Sequence, residues 1–71
     1  MNITTKRAYF EGYTLAREDG ALYLAEKVNR EWKLFEIYPE DGVYGYKEWI
    51  DTVPTLRDAK AVAARAIRAL D

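Results

Sequence analysis

The sequence predicts an α+β fold, an antiparallel β-meander of three or four strands packed on one C-terminal α-helix, in a single domain spanning residues 1–71. Three observations carry this. Ala21–Val28 and Glu31–Tyr38 sort their side chains onto two faces with the period of two that strands impose. Short turn signals, Asp19–Gly20 and Asn29–Arg30, punctuate them. After Pro54 the apolar residues recur at helical spacing instead.

The first strand is expected over residues 7–18, a run rich in aromatic and β-favouring residues that ends at the Asp19–Gly20 hairpin signal. Residues 1–6 read as a short edge or a frayed tail. The second strand covers 21–28. Leu22, Leu24, Glu26 and Val28 point one way, and Tyr23, Ala25 and Lys27 the other. Asn29–Arg30 makes a two-residue turn, because Asn tolerates positive φ. The third strand covers 31–38, with Trp32, Leu34, Glu36 and Tyr38 opposite Lys33, Phe35 and Ile37. Pro39–Gly42 reads as a β-turn with Pro at its second position, or as a slightly longer loop. A fourth strand over 43–50 contains Gly45, which either weakens it or marks a bulge.

The helix is expected over residues 56–70. Val53 precedes Pro54 and is pushed out of the helical region, so whatever comes before stops there. Thr55 is the N-cap and Asp58 stands at N3, a capping box with Asp in place of Glu. Leu56, Ala59, Ala63, Ala66, Ile67 and Leu70 form the apolar face. Arg57, Arg65 and Arg68 lie opposite, with Lys60 at the border. Because the buried face is mostly alanine, the sheet must supply the bulk of the core.

The residue inventory bounds the chemistry. The chain has no His, Cys, Ser or Gln. Nucleophilic catalysis built on Ser or Cys with His is therefore excluded, and so are the usual zinc sites. The four glycines are scattered and none opens a helix, so no phosphate-cradling loop is present. Neither catalytic, metal nor cofactor residues are expected, and the chain reads as a non-enzyme. Without cysteines it has no disulfides, and "MNITTKRAYF" lacks the apolar stretch of a signal peptide. No apolar run is long enough to span a membrane. The expectation is a cytoplasmic protein with no membrane partner.

Two features point to binding. In a meander, alternate turns lie at the same end of the sheet. Glu18 and Asp19 of one turn and Glu40 and Asp41 of another then gather into an acidic patch that could steer a partner. Beside it, Tyr44, Tyr46 and Trp49 lie on an edge strand or loop, and Tyr and Trp are enriched at interfaces. The seven residues form the candidate site. Ten aromatics exceed what one helix can cover, so the other sheet face is a second candidate, for self-association or a partner protein. The leading expectation is a small protein-binding modulator or inhibitor, of the accessory kind that phages and mobile elements carry. The rival is nucleic-acid binding through the sheet or the basic helix face. Three strands backed by a helix resemble integrase arm-binding domains in architecture. However, residues 1–54 carry seven Lys and Arg against ten Asp and Glu, a net of −3, which ranks nucleic acid below protein. The decisive observation is the charge over the uncovered sheet face: positive revives the rival.

Overall fold

The structure, a computed structural model, describes the backbone of residues 2–40 and 43–67, and the side chains of these except 39, 40 and 43–46. It has the expected α+β class: one open antiparallel sheet and a C-terminal helix. The sheet has five strands in meander order: β1 (Ile3–Tyr9), β2 (Gly12–Arg17), β3 (Leu22–Val28), β4 (Glu31–Glu40) and β5 (Val43–Val53). The helix α1 spans Leu56–Arg65.

The fifth strand arises because the segment 7–18 is not one strand. It folds back on itself at Phe10–Glu11, where Glu11 takes φ 62° and Tyr9 pairs with Gly12. A left-handed glutamate is uncommon, which is why composition gave no sign of this turn. Residues 3–6, expected as an edge or tail, are the first half of edge strand β1. The other turns follow their residues. Asn29 and Arg30 both have positive φ (51° and 67°), as a tight two-residue hairpin requires. Gly20 at φ 95° closes the β2–β3 turn, its N–H donating to the Arg17 carbonyl at 3.0 Å.

Pro39 is not in a turn: β4 continues through it to Glu40. It faces an irregularity, for Tyr38 pairs with Tyr46 and Pro39 with Tyr44, so Gly45 is an extra residue in β5. Gly45 therefore marks a bulge, where proline is tolerated in a sheet. A second shift places Ile50 between the Phe35–Trp49 and Leu34–Asp51 pairs.

The core lies between the sheet and α1. Leu15, Ala21, Tyr23, Ala25 and Leu34 are fully buried against Ala59 and Ala63 of the helix, with Val53 beside them. As expected, the helix contributes small residues and the sheet the bulk, Tyr23 being the largest buried side chain. Thr55 caps the helix: its hydroxyl accepts from the Asp58 N–H at 3.1 Å. The helix stops one turn earlier than its periodicity suggests. Ala66 is already extended, with φ −62° and ψ 136°. Ile67, expected in the buried face, is 95% exposed, and Val62 packs on the core instead. Leu70 and Arg68 lie outside the described residues.

A residue far away in sequence meets the helix where it stops. The buried Arg17 side chain reaches the end of α1, where Nη1 donates to the carbonyl of Ala63 at 3.2 Å and to that of Ala66. It also reaches the Tyr23 hydroxyl at 3.2 Å, and its Nη2 pairs with Asp19 at 2.6 Å. A cation there satisfies carbonyls that the helix leaves open and complements its dipole.

Candidate binding faces of the sheet

Cross-strand partners share a face, so the register assigns every side chain to one side of the sheet. Leu15, Tyr23 and Leu34 are on the helix side. The alternate residues form the uncovered side. One row runs Thr14, Leu24, Phe35, Trp49 across β2 to β5, and beside it lie the Ala16–Leu22 and Ile37–Lys47 pairs. Leu22, Leu24 and Phe35 are half-buried, whereas Trp49 is 57% exposed. The Trp49 indole N–H donates to the Thr52 hydroxyl at 3.1 Å, which fixes the ring on the edge strand.

The polar residues of this face are mainly basic. Lys6 pairs with Thr14, Lys33 with Glu26, and Lys47 with Ile37. Against three lysines stand Glu26 and Glu31, so the described side chains of the strands here sum to +1, although the strand region as a whole is acidic. Glu26 is the hub of a bridge that runs across the sheet from β1 to β5. Tyr9 from β1 donates its hydroxyl to one Glu26 oxygen, and Lys47 from β5 sits 3.4 Å from the other. On its way the Lys47 ammonium passes 4.5 Å from the centroid of the Phe35 ring, a cation–π contact. Tyr9 lies flat on its partner Gly12, where a Cβ would stand 2.3 Å from the ring. Burial, then the Glu26 hydrogen bond and charge, raise the Tyr9 hydroxyl to a pKa of about 12.

The acidic end is built differently from the expectation. Glu18 and Asp19 are exposed in the β2–β3 turn. The Asp19 carboxylate, however, accepts from the Ala21 N–H at 3.2 Å and pairs with Arg17. The Ala21 N–H first of all holds its pKa below the usual carboxylate range; burial opposes this, and Arg17 adds to the lowering. Asp19 thus shapes the turn and anchors the helix-capping arginine. The Glu40–Val43 backbone pair of β4 and β5 lies at the same end, as a meander requires. It stands further out, because Tyr38–Glu40 continue three residues past the start of β3, about 10 Å. Asp41 and the side chains of Glu40, Tyr44 and Tyr46 fall outside the description; the backbone of the last three pairs along β4 and β5. Of the seven candidates, Trp49 has a large apolar surface open to a partner, and it belongs to the uncovered face rather than to the acidic end.

Two further features were not anticipated. Glu36 and Glu48 are cross-strand partners on the helix side and line a cleft of about 420 Å³ with Tyr38, Ile50, Val62 and Arg65. Glu36 is 5% exposed and accepts from the Tyr38 hydroxyl at 2.8 Å. At the opposite end, Arg7, Phe10, Tyr13 and Trp32 form a cluster of rings and a guanidinium, described below. Their spacing in the sequence signals nothing until the turn at Phe10–Glu11 is recognised.

Among the described residues no helix is long and apolar enough to cross a membrane. Comparison with protein families, curated proteins and solved structures finds no match to this chain.

Proposed function

We propose that this chain is a small non-catalytic modulator that docks on another protein in the cytoplasm through the uncovered face of its sheet. The observation that carries the reading is the Leu24–Phe35–Trp49 row, apolar and left open by the helix, inside a rim of Lys6, Lys33 and Lys47. An apolar centre with a charged rim is the anatomy of protein interfaces, and an exposed Trp is their commonest anchor. The rim charge selects the partner: an acidic surface with an apolar centre. A two-fold dimer of this face would set a net positive patch against itself, so a second copy fits less well than a different, acidic protein. The lysines also meet the condition for the rival reading, yet Lys47 already sits over the Phe35 ring, and beside Trp49 the remaining apolar surface of Ala16, Leu22 and Leu24 is aliphatic and offers bases little to stack on.

The test compares capture from the source cell by the wild type and by Trp49→Ala and Lys33→Glu variants of unchanged melting temperature. A binder of acidic surface that both variants lose, and that salt releases from the wild type, supports the reading. Equal capture by all three, or sedimentation of the isolated chain as a dimer that Trp49→Ala dissolves, overturns it.

A further inference from the structure

On the helix side of the sheet, at the end bearing the Phe10–Glu11 and Asn29–Arg30 turns, lies a second surface of different chemistry. Arg7 and Tyr13 are cross-strand partners, as are Lys27 and Trp32, so all four side chains stand on one face. The Arg7 guanidinium carbon is 5.8 Å from the Phe10 ring centroid and 5.9 Å from that of Tyr13. Tyr13 in turn meets Trp32 with centroids 5.8 Å apart and planes tilted by 51°. The cluster is open: Phe10 is 78% exposed, Arg7 and Lys27 are exposed, and Tyr13 and Trp32 are half-buried.

We propose that this cluster is a binding surface for single-stranded nucleic acid. Among the described residues no carboxylate lies within ion-pair distance of Arg7, Lys27 or Arg30, so three cations at this end have charge to give. Glu11, Glu26 and Glu31 are the nearest acidic residues in sequence, and Glu26 pairs with Lys33 on the uncovered face. Glu31 pairs with Val28 on the uncovered face, and Glu11 sits at the tip of its turn. The cations alone would suit any polyanion. The rings decide between them. A guanidinium flanked by two rings presents flat, polarisable faces, and every base has a face that stacks on them. Paired bases cannot reach convex rings, whereas an unpaired strand can lay its bases on Phe10 and Tyr13 with its phosphates toward Arg7, Lys27 and Arg30. An acidic polypeptide would use the charges and leave the rings idle.

The experiment is a fluorescence-anisotropy titration of an end-labelled oligothymidine with the full chain, from about 50 mM to about 200 mM salt. Three neutralised phosphates predict a slope of log K against log salt of about −2. Phe10→Ala should weaken binding about tenfold and leave the slope unchanged, since it removes a stacking face and no charge. Arg7→Lys should also keep the slope and lose affinity, because lysine keeps the charge without the planar stack. Both residues are exposed, so the variants should melt with the wild type. Trp49→Ala, on the other side of the sheet, should bind as the wild type does. The inference is overturned if oligothymidine fails to bind at the lower salt. It is also overturned if polyglutamate of equal charge binds as tightly, which would make the site a receptor for acidic polypeptide, or if Phe10→Ala and Arg7→Lys bind like the wild type.

Discussion

The Arg17 guanidinium, on the second strand, donates to the carbonyl of Ala63 on the helix at 3.2 Å. This contact, forty-six residues apart in sequence, joins the two layers of the fold where the helix ends. The same nitrogen also reaches Ala66 and the Tyr23 hydroxyl, and the other terminal nitrogen pairs with Asp19. The side chain is 8% exposed, so its charge is matched by partners rather than by water. Arg17→Ala should therefore lower the melting temperature well beyond Arg57→Ala or Arg65→Ala, whose side chains are exposed. Arg17→Lys should recover only part, since one ammonium cannot serve the helix end, the phenol and the carboxylate together. Thermal melts of the four variants check this.

Asp19 extends the argument to pH. Its pKa is lowered in the folded state by the Ala21 N–H and by Arg17. Its contribution is thus fully present above the unfolded value of about 3.9 and is lost as pH falls through the folded value. Melting temperature against pH should fall on the acid side, and the fall should be shallower in Asp19→Asn. Identical acid limbs in the two proteins would show that the pair contributes nothing to folding.

Tyr9 acts at the other extreme. Its folded pKa of about 12 exceeds the unfolded value of about 10. Its contribution is present below about pH 10 and lost as pH rises through about 12. An ultraviolet titration should show a late-ionising tyrosine that Tyr9→Phe removes. Tyr23 should also ionise late, since burial raises it and Arg17 opposes only part of that shift. Gly12→Ala should bring the Tyr9 titration back toward 10, because the new methyl displaces the ring and breaks its bond to Glu26.

The helix–sheet contact sets the limits on substitution. Ala63 is fully buried, so Ala63→Asp places an unpaired charge in the core and should leave the chain unfolded. Ala63→Leu overpacks the same site and should cost about 1–3 kcal/mol. Arg65→Ala, on the exposed side, should change stability by less than about 0.5 kcal/mol. Urea titration of the three places them in that order.

The parts of the fold that were legible in the sequence are those set by neighbours along the chain. Asn29–Arg30 makes its turn because Asn accepts positive φ, Gly45 marks a bulge, and Thr55 caps the helix three residues before its hydrogen-bond partner Asp58. The misread parts depend on distant partners or on rare backbone. The turn at Glu11 uses a left-handed conformation that glutamate seldom adopts, and so a hairpin passed for one strand. The helix ends at Arg65 with Arg17 at its last carbonyls, which no periodicity of residues 56–70 could reveal. Asp19 was legible as an exposed acidic turn residue, and its use by Arg17 and Ala21 was not. The basic rim of the uncovered face was hidden for a related reason. Lys6, Lys33 and Lys47 come from three strands and meet only once the register is known.

In the proposed function the uncovered face, and not the acidic turns, is the docking surface. The direct measurement is the affinity of the captured partner for two folded variants, Trp49→Ala and Glu18→Lys. An aromatic hot spot contributes about 2 kcal/mol or more, so Trp49→Ala should raise Kd at least about thirtyfold, mainly through the off-rate. Glu18→Lys removes a negative charge from the far turn and should leave Kd unchanged or slightly lower it for an acidic partner. An unchanged Kd in Trp49→Ala together with a large loss in Glu18→Lys would contradict the assignment and return the site to the acidic end of the sheet.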